Sequence, residues 1–90
     1  MTALRSTNQE AKLASGIPIL LDLSHLQSRR VELVYSLVEI WLRHHCHSPW
    51  TLEELQETPP DGRLRTYIRI VFQDPREAVQ YRLSPSYLSI

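Results

Sequence analysis

Two segments near the C-terminus, residues 64–72 and 77–84, both space their apolar side chains at the two-residue period of a half-buried strand. In the first, Leu64, Ile68, Ile70 and Phe72 share a face, with Thr66 between them; in the second, Val79, Tyr81 and Leu83 do. Asp74-Pro75-Arg76 separates them with turn chemistry. A two-residue loop there would pair Phe72 with Val79, Ile70 with Tyr81 and Ile68 with Leu83. A one-residue slip would bury Gln80 and Arg82, so face and register agree, and the spacing predicts a C-terminal β-hairpin. Two other foldings compete for the same residues. Thr58-Pro59-Pro60-Asp61 has capping-box spacing with proline at the first helical position, and Leu64, Tyr67, Ile68, Val71 and Phe72 fit one helical face. This second reading is a winged helix-turn-helix, opposed by Gly62, by Ile70 on the wrong face and by a β-branched and aromatic run. In the third, Asp74-Pro75-Arg76-Glu77 caps a helix over residues 78–83.

The longest periodic segment is residues 25–45, where Ser24 and Gln27 have the spacing of a capping box. Its polar residues form one narrow stripe of Arg29, Glu32, Ser36, Glu39 and Arg43, and the remainder from Val31 to Leu42 is apolar. An ordinary surface helix has a polar half, so this one must be covered on more than one side. Ahead of it, residues 17–23 alternate as a strand with Ile17, Ile19, Leu21 and Leu23 on one face. Pro18 confines that strand to a sheet edge or places the residue at the strand's start. After it, Thr51 and Glu54 form a second capping box, and Trp50 and Leu55 are spaced as a hydrophobic staple, which predicts a short helix over residues 51–57. Residues 1–16 read as a mobile tail, or as a short helix lined by Leu4, Ala11, Leu13 and Ala14. Residues 17–90 read as one domain, with 87–90 adding to the sheet. The expected fold class is α+β: a long buried helix packed on a small antiparallel sheet with a C-terminal β-hairpin, the winged helix-turn-helix being the alternative.

Ten basic and ten acidic residues cancel, which removes any global field toward nucleic acid or an anionic membrane. The single cysteine, Cys46, cannot form an internal disulfide, and this fits a reducing, cytoplasmic setting. The apolar runs fall short of the roughly 20 residues a membrane helix needs.

The residues that carry chemistry are few. His44-His45-Cys46-His47 holds good metal ligands, but a structural zinc site takes two separated pairs and His25 is the only other histidine. The run is read as closing the last helical turn, where positive charge suits the dipole. Cys46 lacks a base on its own helical face, Gly16 and Gly62 alone cannot build a phosphate loop, and Asp22 has no second carboxylate beside it. No catalytic, cofactor or metal residue is assigned. The expected function is that of a small non-catalytic regulatory or assembly subunit. It binds another protein, or a second copy as a dimer, through Val31, Val34, Val38, Trp41 and Leu42 on the over-apolar helix. The alternative is a nucleic-acid-binding module that uses Arg65, Tyr67, Arg69 and Arg82 on the outward face of the hairpin.

Overall fold

The computed structural model describes residues 2–8 and 16–88. In chain order the elements are β1 (Thr2–Asn8), β2 (Ile17–Asp22), α1 (Ser28–His45), β3 (Trp50–Glu57), β4 (Arg65–Phe72), α2 (Pro75–Arg82) and α3 (Pro85–Leu88). The strands form one antiparallel sheet in the order β1-β3-β4-β2. Because β2 and β3 both run antiparallel to β4, they are parallel to each other, and α1 crosses over β4 in a split β-α-β unit. The fold is therefore α+β, with a long helix on a small antiparallel sheet and a β-hairpin in the C-terminal half. The shortest dimension, 17 Å, accommodates one sheet and one layer of helices.

The hairpin has different members from those the alternation predicts. Residues 65–72 are a strand, with Ile68, Ile70 and Phe72 fully buried, so the helix-turn-helix reading fails. Its neighbours are β3, which pairs Leu52 with Ile70, and β2, which pairs Ile19 with Ile70. With both edges of β4 occupied, residues 77–84 have no edge there to pair with. They form α2 instead, which starts where Asp74 accepts a hydrogen bond from the Arg76 N–H at 2.9 Å and Pro75 opens the helix. Helical spacing turns Glu77, Ala78 and Tyr81 inward and leaves Val79 and Leu83 in solvent.

Other expectations are corrected on similar grounds. Residues 50–57 are a strand, although Thr51 and Glu54 have capping spacing. So short a helix is marginal alone, whereas β3 is hydrogen-bonded along both edges. Glu53 and Glu54 alternate across the sheet, to Arg69 at 2.6 Å on one face and Arg5 at 2.8 Å on the other. The first segment is not a loose tail: Thr2–Asn8 is the edge strand β1 on β3. The short-helix option through Ala11, Leu13 and Ala14 lies outside the described residues. Ser24 does not cap α1; its hydroxyl accepts the Thr66 N–H at 3.1 Å, and its own N–H donates to Asp22 Oδ1 at 3.0 Å. Gln27 holds the cap position with no side-chain hydrogen bond. At the C-terminus, Pro85–Leu88 is a helical turn, and residues 89–90 lie outside the described residues.

Pro18 sits where its chemistry requires. The Leu23 N–H donates to Thr66 O, so in this register the odd residues of β2 bond to β4 and the even ones point their main-chain groups to the open edge. A missing N–H at position 18 breaks no bond of the sheet. Gly62, at φ +78°, turns the chain between β3 and β4 in a conformation that a side chain would strain.

The core lies between sheet and helices. Leu23, Trp50, Leu52, Ile68, Ile70 and Phe72 meet Val31, Tyr35, Val38, Trp41 and Leu42 of α1 and Ala78 and Tyr81 of α2. The Tyr81 hydroxyl is buried there without a hydrogen-bond partner among the described residues. Two outcomes are expected in urea unfolding. Ile70→Ala lowers stability by about 2–5 kcal/mol, because a fully buried side chain leaves a cavity. Tyr81→Phe leaves stability unchanged or raises it by about 1 kcal/mol, because it removes an unsatisfied polar group at constant shape.

Candidate interaction surface

α1 carries two apolar stripes. Val31, Tyr35, Val38, Trp41 and Leu42 face the sheet and are buried. Leu33, Leu37 and Ile40 face away and remain 50%, 50% and 53% exposed. Their spacing of four and then three residues is extended by Arg30 and His44 to 30-33-37-40-44, the alternation of a coiled-coil seam. In that frame Arg29, Ser36 and Arg43 flank the seam on one side, and Val34 and Trp41 flank it on the other, toward the core. Arg29 and Arg30 stand in the first turn of α1, which holds no acidic residue. The helix dipole favours carboxylates there and disfavours arginine. Among the described residues neither has a carboxylate within ion-pair distance, whereas Arg43 is bound to Glu39 at 2.9 Å.

The seam is held rigidly from beneath. The hydroxyls of Tyr35 and Thr7 hydrogen-bond at 2.7 Å, and Tyr35 also donates to Leu52 O at 3.4 Å, which ties α1 to β1 and β3. Burial raises the Tyr35 phenol above its ordinary value, while the Thr7 bond opposes this. The Arg5 guanidinium lies 3.8 Å from the Tyr35 ring centroid. At the other end, the His45 ring stacks on Trp41 at 4.6 Å, with Nδ1 3.0 Å from Trp41 O. The buried Glu77 carboxylate accepts the His47 N–H at 2.7 Å and the Ser48 N–H at 3.4 Å, which joins the start of α2 to the chain leaving α1. Burial, followed by the nearby Glu77 charge, pushes the Cys46 thiol up to about 12. Residues 44–47 thus fasten the end of the helix, and among the described residues no three His, Cys, Asp or Glu side chains are grouped to hold a metal ion.

The residues expected to bind a partner lie elsewhere than that reading required. Val31, Val38, Trp41 and Leu42 are enclosed in the chain's own core, and Val34 is packed half-buried against it. A helix covered on its sheet side and still over-apolar does exist, but the surplus falls on Leu33, Leu37 and Ile40. The signal that locates them is the three-four spacing between two arginines and a histidine, set beside the separate 31-35-38-42 stripe that closes the core.

The nucleic-acid set is divided between the layers. Arg65, Tyr67 and Arg69 lie on the open face of β4, opposite Glu57, Leu55 and Glu53, while Arg82 is on α2. Arg69 is bound to Glu53 and Arg65 approaches Asp61 at 3.9 Å, so carboxylates answer both cations. Asp22, at the end of β2, has its carboxyl below the usual range because Ser24 donates to it from side chain and backbone. An open cleft of about 360 Å3 beside it is lined by Leu20, Leu21, Tyr87 and Leu88. No helix among the described residues is long and apolar enough to cross a membrane. The chain matches no family model, no curated protein and no solved structure.

Two measurements check the fastening of α1. Glu77→Ala removes the acceptor of the part-buried His47 and Ser48 N–H bonds and is expected to lower stability by about 1–2 kcal/mol in urea unfolding. The Cys46 thiol keeps its proton to about pH 12 when folded but releases it near pH 8.5 when unfolded. Its share of stability is therefore complete below the unfolded value and is lost as pH rises from there toward about 12. Cys46→Ala should flatten the alkaline decline of the unfolding midpoint, and iodoacetamide should label folded Cys46 far more slowly than the urea-unfolded thiol at pH 8.5.

Proposed function

We propose that this chain is a small non-catalytic assembly or regulatory subunit that acts by binding another protein through the outer seam of α1. The observation that carries this reading is the exposure of Leu33, Leu37 and Ile40 in one row on a helix whose other face is locked into the core. Fully burying such a side chain is worth about 1.5–3 kcal/mol, and these three are half-exposed, so covering them would contribute roughly 2–4 kcal/mol. That is about 30- to 1,000-fold in affinity from the apolar contact alone. On the open face of the sheet, Arg65 and Arg69 stand within ion-pair distance of Asp61 and Glu53. A cytoplasmic setting suits the single free thiol, which is half-buried.

The test separates the seam from the core. Val38 is 1% exposed, so Val38→Glu should unfold the chain and is uninformative about binding. Leu37→Glu should leave the unfolding midpoint nearly unchanged, because the position is half in water. A photo-crosslinking amino acid at position 37, introduced in the cells that make this protein, should give a discrete protein adduct. The same probe at the exposed position 80 on α2 should not. An absence of adduct at position 37, or the same pattern at both positions, would overturn the proposal.

A further inference from the structure

We infer that the occupant of the α1 seam is an amphipathic helix of a partner protein with acidic residues beside its apolar row. This rests on the reading of the seam as a docking surface and adds the chemistry of what docks. The first argument is geometric. Arg30, Leu33, Leu37, Ile40 and His44 follow one line along a regular helix at alternating steps of three and four. Over residues 30–44 the line runs about 21 Å, at roughly 1.5 Å per residue. A second helix whose apolar residues repeat in the same way places knobs between these side chains along the whole line. An extended strand repeats every two residues and meets only some of them.

The second argument is charge. The start of the row is basic, with Arg29 and Arg30, whereas at its end Arg43 is already paired with Glu39. Glu39 is held by Arg43, and Glu32 stands one position outside the flank. Arg29 and Arg30 oppose the helix dipole, and among the described residues no carboxylate lies within ion-pair distance of either. Two residues that break a local rule, with no compensating contact among the described residues, point to a functional constraint.

The third argument bears on a second copy. A parallel pairing of two copies sets Arg30 against Arg30 across the seam. That places like charges together, a device by which helical interfaces reject wrong partners. Glutamates or aspartates beside the partner's apolar row meet Arg29 and Arg30 at the start of the seam.

The test uses the full chain and two synthetic helical peptides that share a leucine seam and differ only in their flanking residues, glutamate in one and lysine in the other. The glutamate peptide is expected to bind at least about tenfold more tightly at low salt, with the gap narrowing at high salt. Arg29→Glu combined with Arg30→Glu should invert the preference without loss of fold, since acidic residues suit a first helical turn. Leu37→Glu should abolish binding of both peptides while the unfolding midpoint holds. Equal binding of the two peptides overturns the acidic partner and leaves the docking seam standing. Self-association by sedimentation, lost in Leu37→Glu and with no peptide bound, makes a second copy the occupant and also overturns it. Seam-dependent capture by anionic vesicles in place of the glutamate peptide does the same. Failure of peptides, vesicles and self-association together overturns the seam itself.

Discussion

The fold depends on the saturation of β4. Its register places Ile68, Ile70 and Phe72 on the buried face, while β3 and β2 hydrogen-bond along its two edges. A strand in this state accepts no further partner, so the chain that leaves Phe72 must form something other than a strand beside it. Asp74 and Pro75 supply the start of a helix, and α2 returns over the same apolar face with Ala78 and Tyr81. The crossover helix α1 is placed by the same strand. β2 and β3 must lie on opposite sides of β4 and run parallel, and a parallel pair needs a long connection that carries its own apolar face. β1 and β2 are left as the outer strands, and proline at position 18 is tolerated because its nitrogen points to the open edge.

This hierarchy explains which elements were legible in the sequence. The alternation of Ile68, Ile70 and Phe72 identifies a strand, since β-branched and aromatic residues at a period of two suit little else. The strand's partner is a non-local matter. Residues 77–84 satisfy two periods at once: Val79, Tyr81 and Leu83 for a strand, and Glu77, Ala78 and Tyr81 for a helix. Nothing within those residues records that both edges of β4 are already taken. The reverse happened at residues 50–57, where Thr51 and Glu54 carry a local helix-start pattern that pairing along both edges overrides. There Glu53 and Glu54 are the residues that ion-pair across each face of the sheet. Capping signals are contributions of about 1 kcal/mol, and a strand hydrogen-bonded on both sides with Trp50 and Leu52 in the core outweighs them.

The surface was half legible. That α1 has more apolar area than one layer can cover follows from its narrow polar stripe, and the structure contains the surplus. Which residues form it depends on the rotation of the helix about its axis, and that is set by what lies beneath. Tyr35 takes the inward position because its hydroxyl reaches Thr7 and Leu52 O, on strands far away in the chain. Trp41 is drawn inward by Tyr81, whose ring it meets edge-on at 5.1 Å. With those two turned down, Leu33, Leu37 and Ile40 must turn up. The strand nature of residues 2–8 was hidden for the same reason: Thr7 and Arg5 have their meaning only against Tyr35 and Glu54.

The same rotation makes the seam independent of what covers it. Among the described residues, the contacts that fix the roll of α1 lie on its sheet side or beyond its C-terminal end, from Tyr35 and Val38 to the Glu77 carboxylate under His47. Leu33, Leu37 and Ile40 contribute little to that fixation, so the backbone that carries them is set by the core beneath. The placement of Arg29 and Arg30 is the counterpart in charge. At the start of α1 they oppose the dipole by some tenths of a kcal/mol each, and among the described residues no carboxylate lies within ion-pair distance of either. The core and the seam are thus built from different residues of one helix. A substitution at 31, 35, 38 or 42 acts on folding, and one at 33, 37 or 40 leaves that core in place.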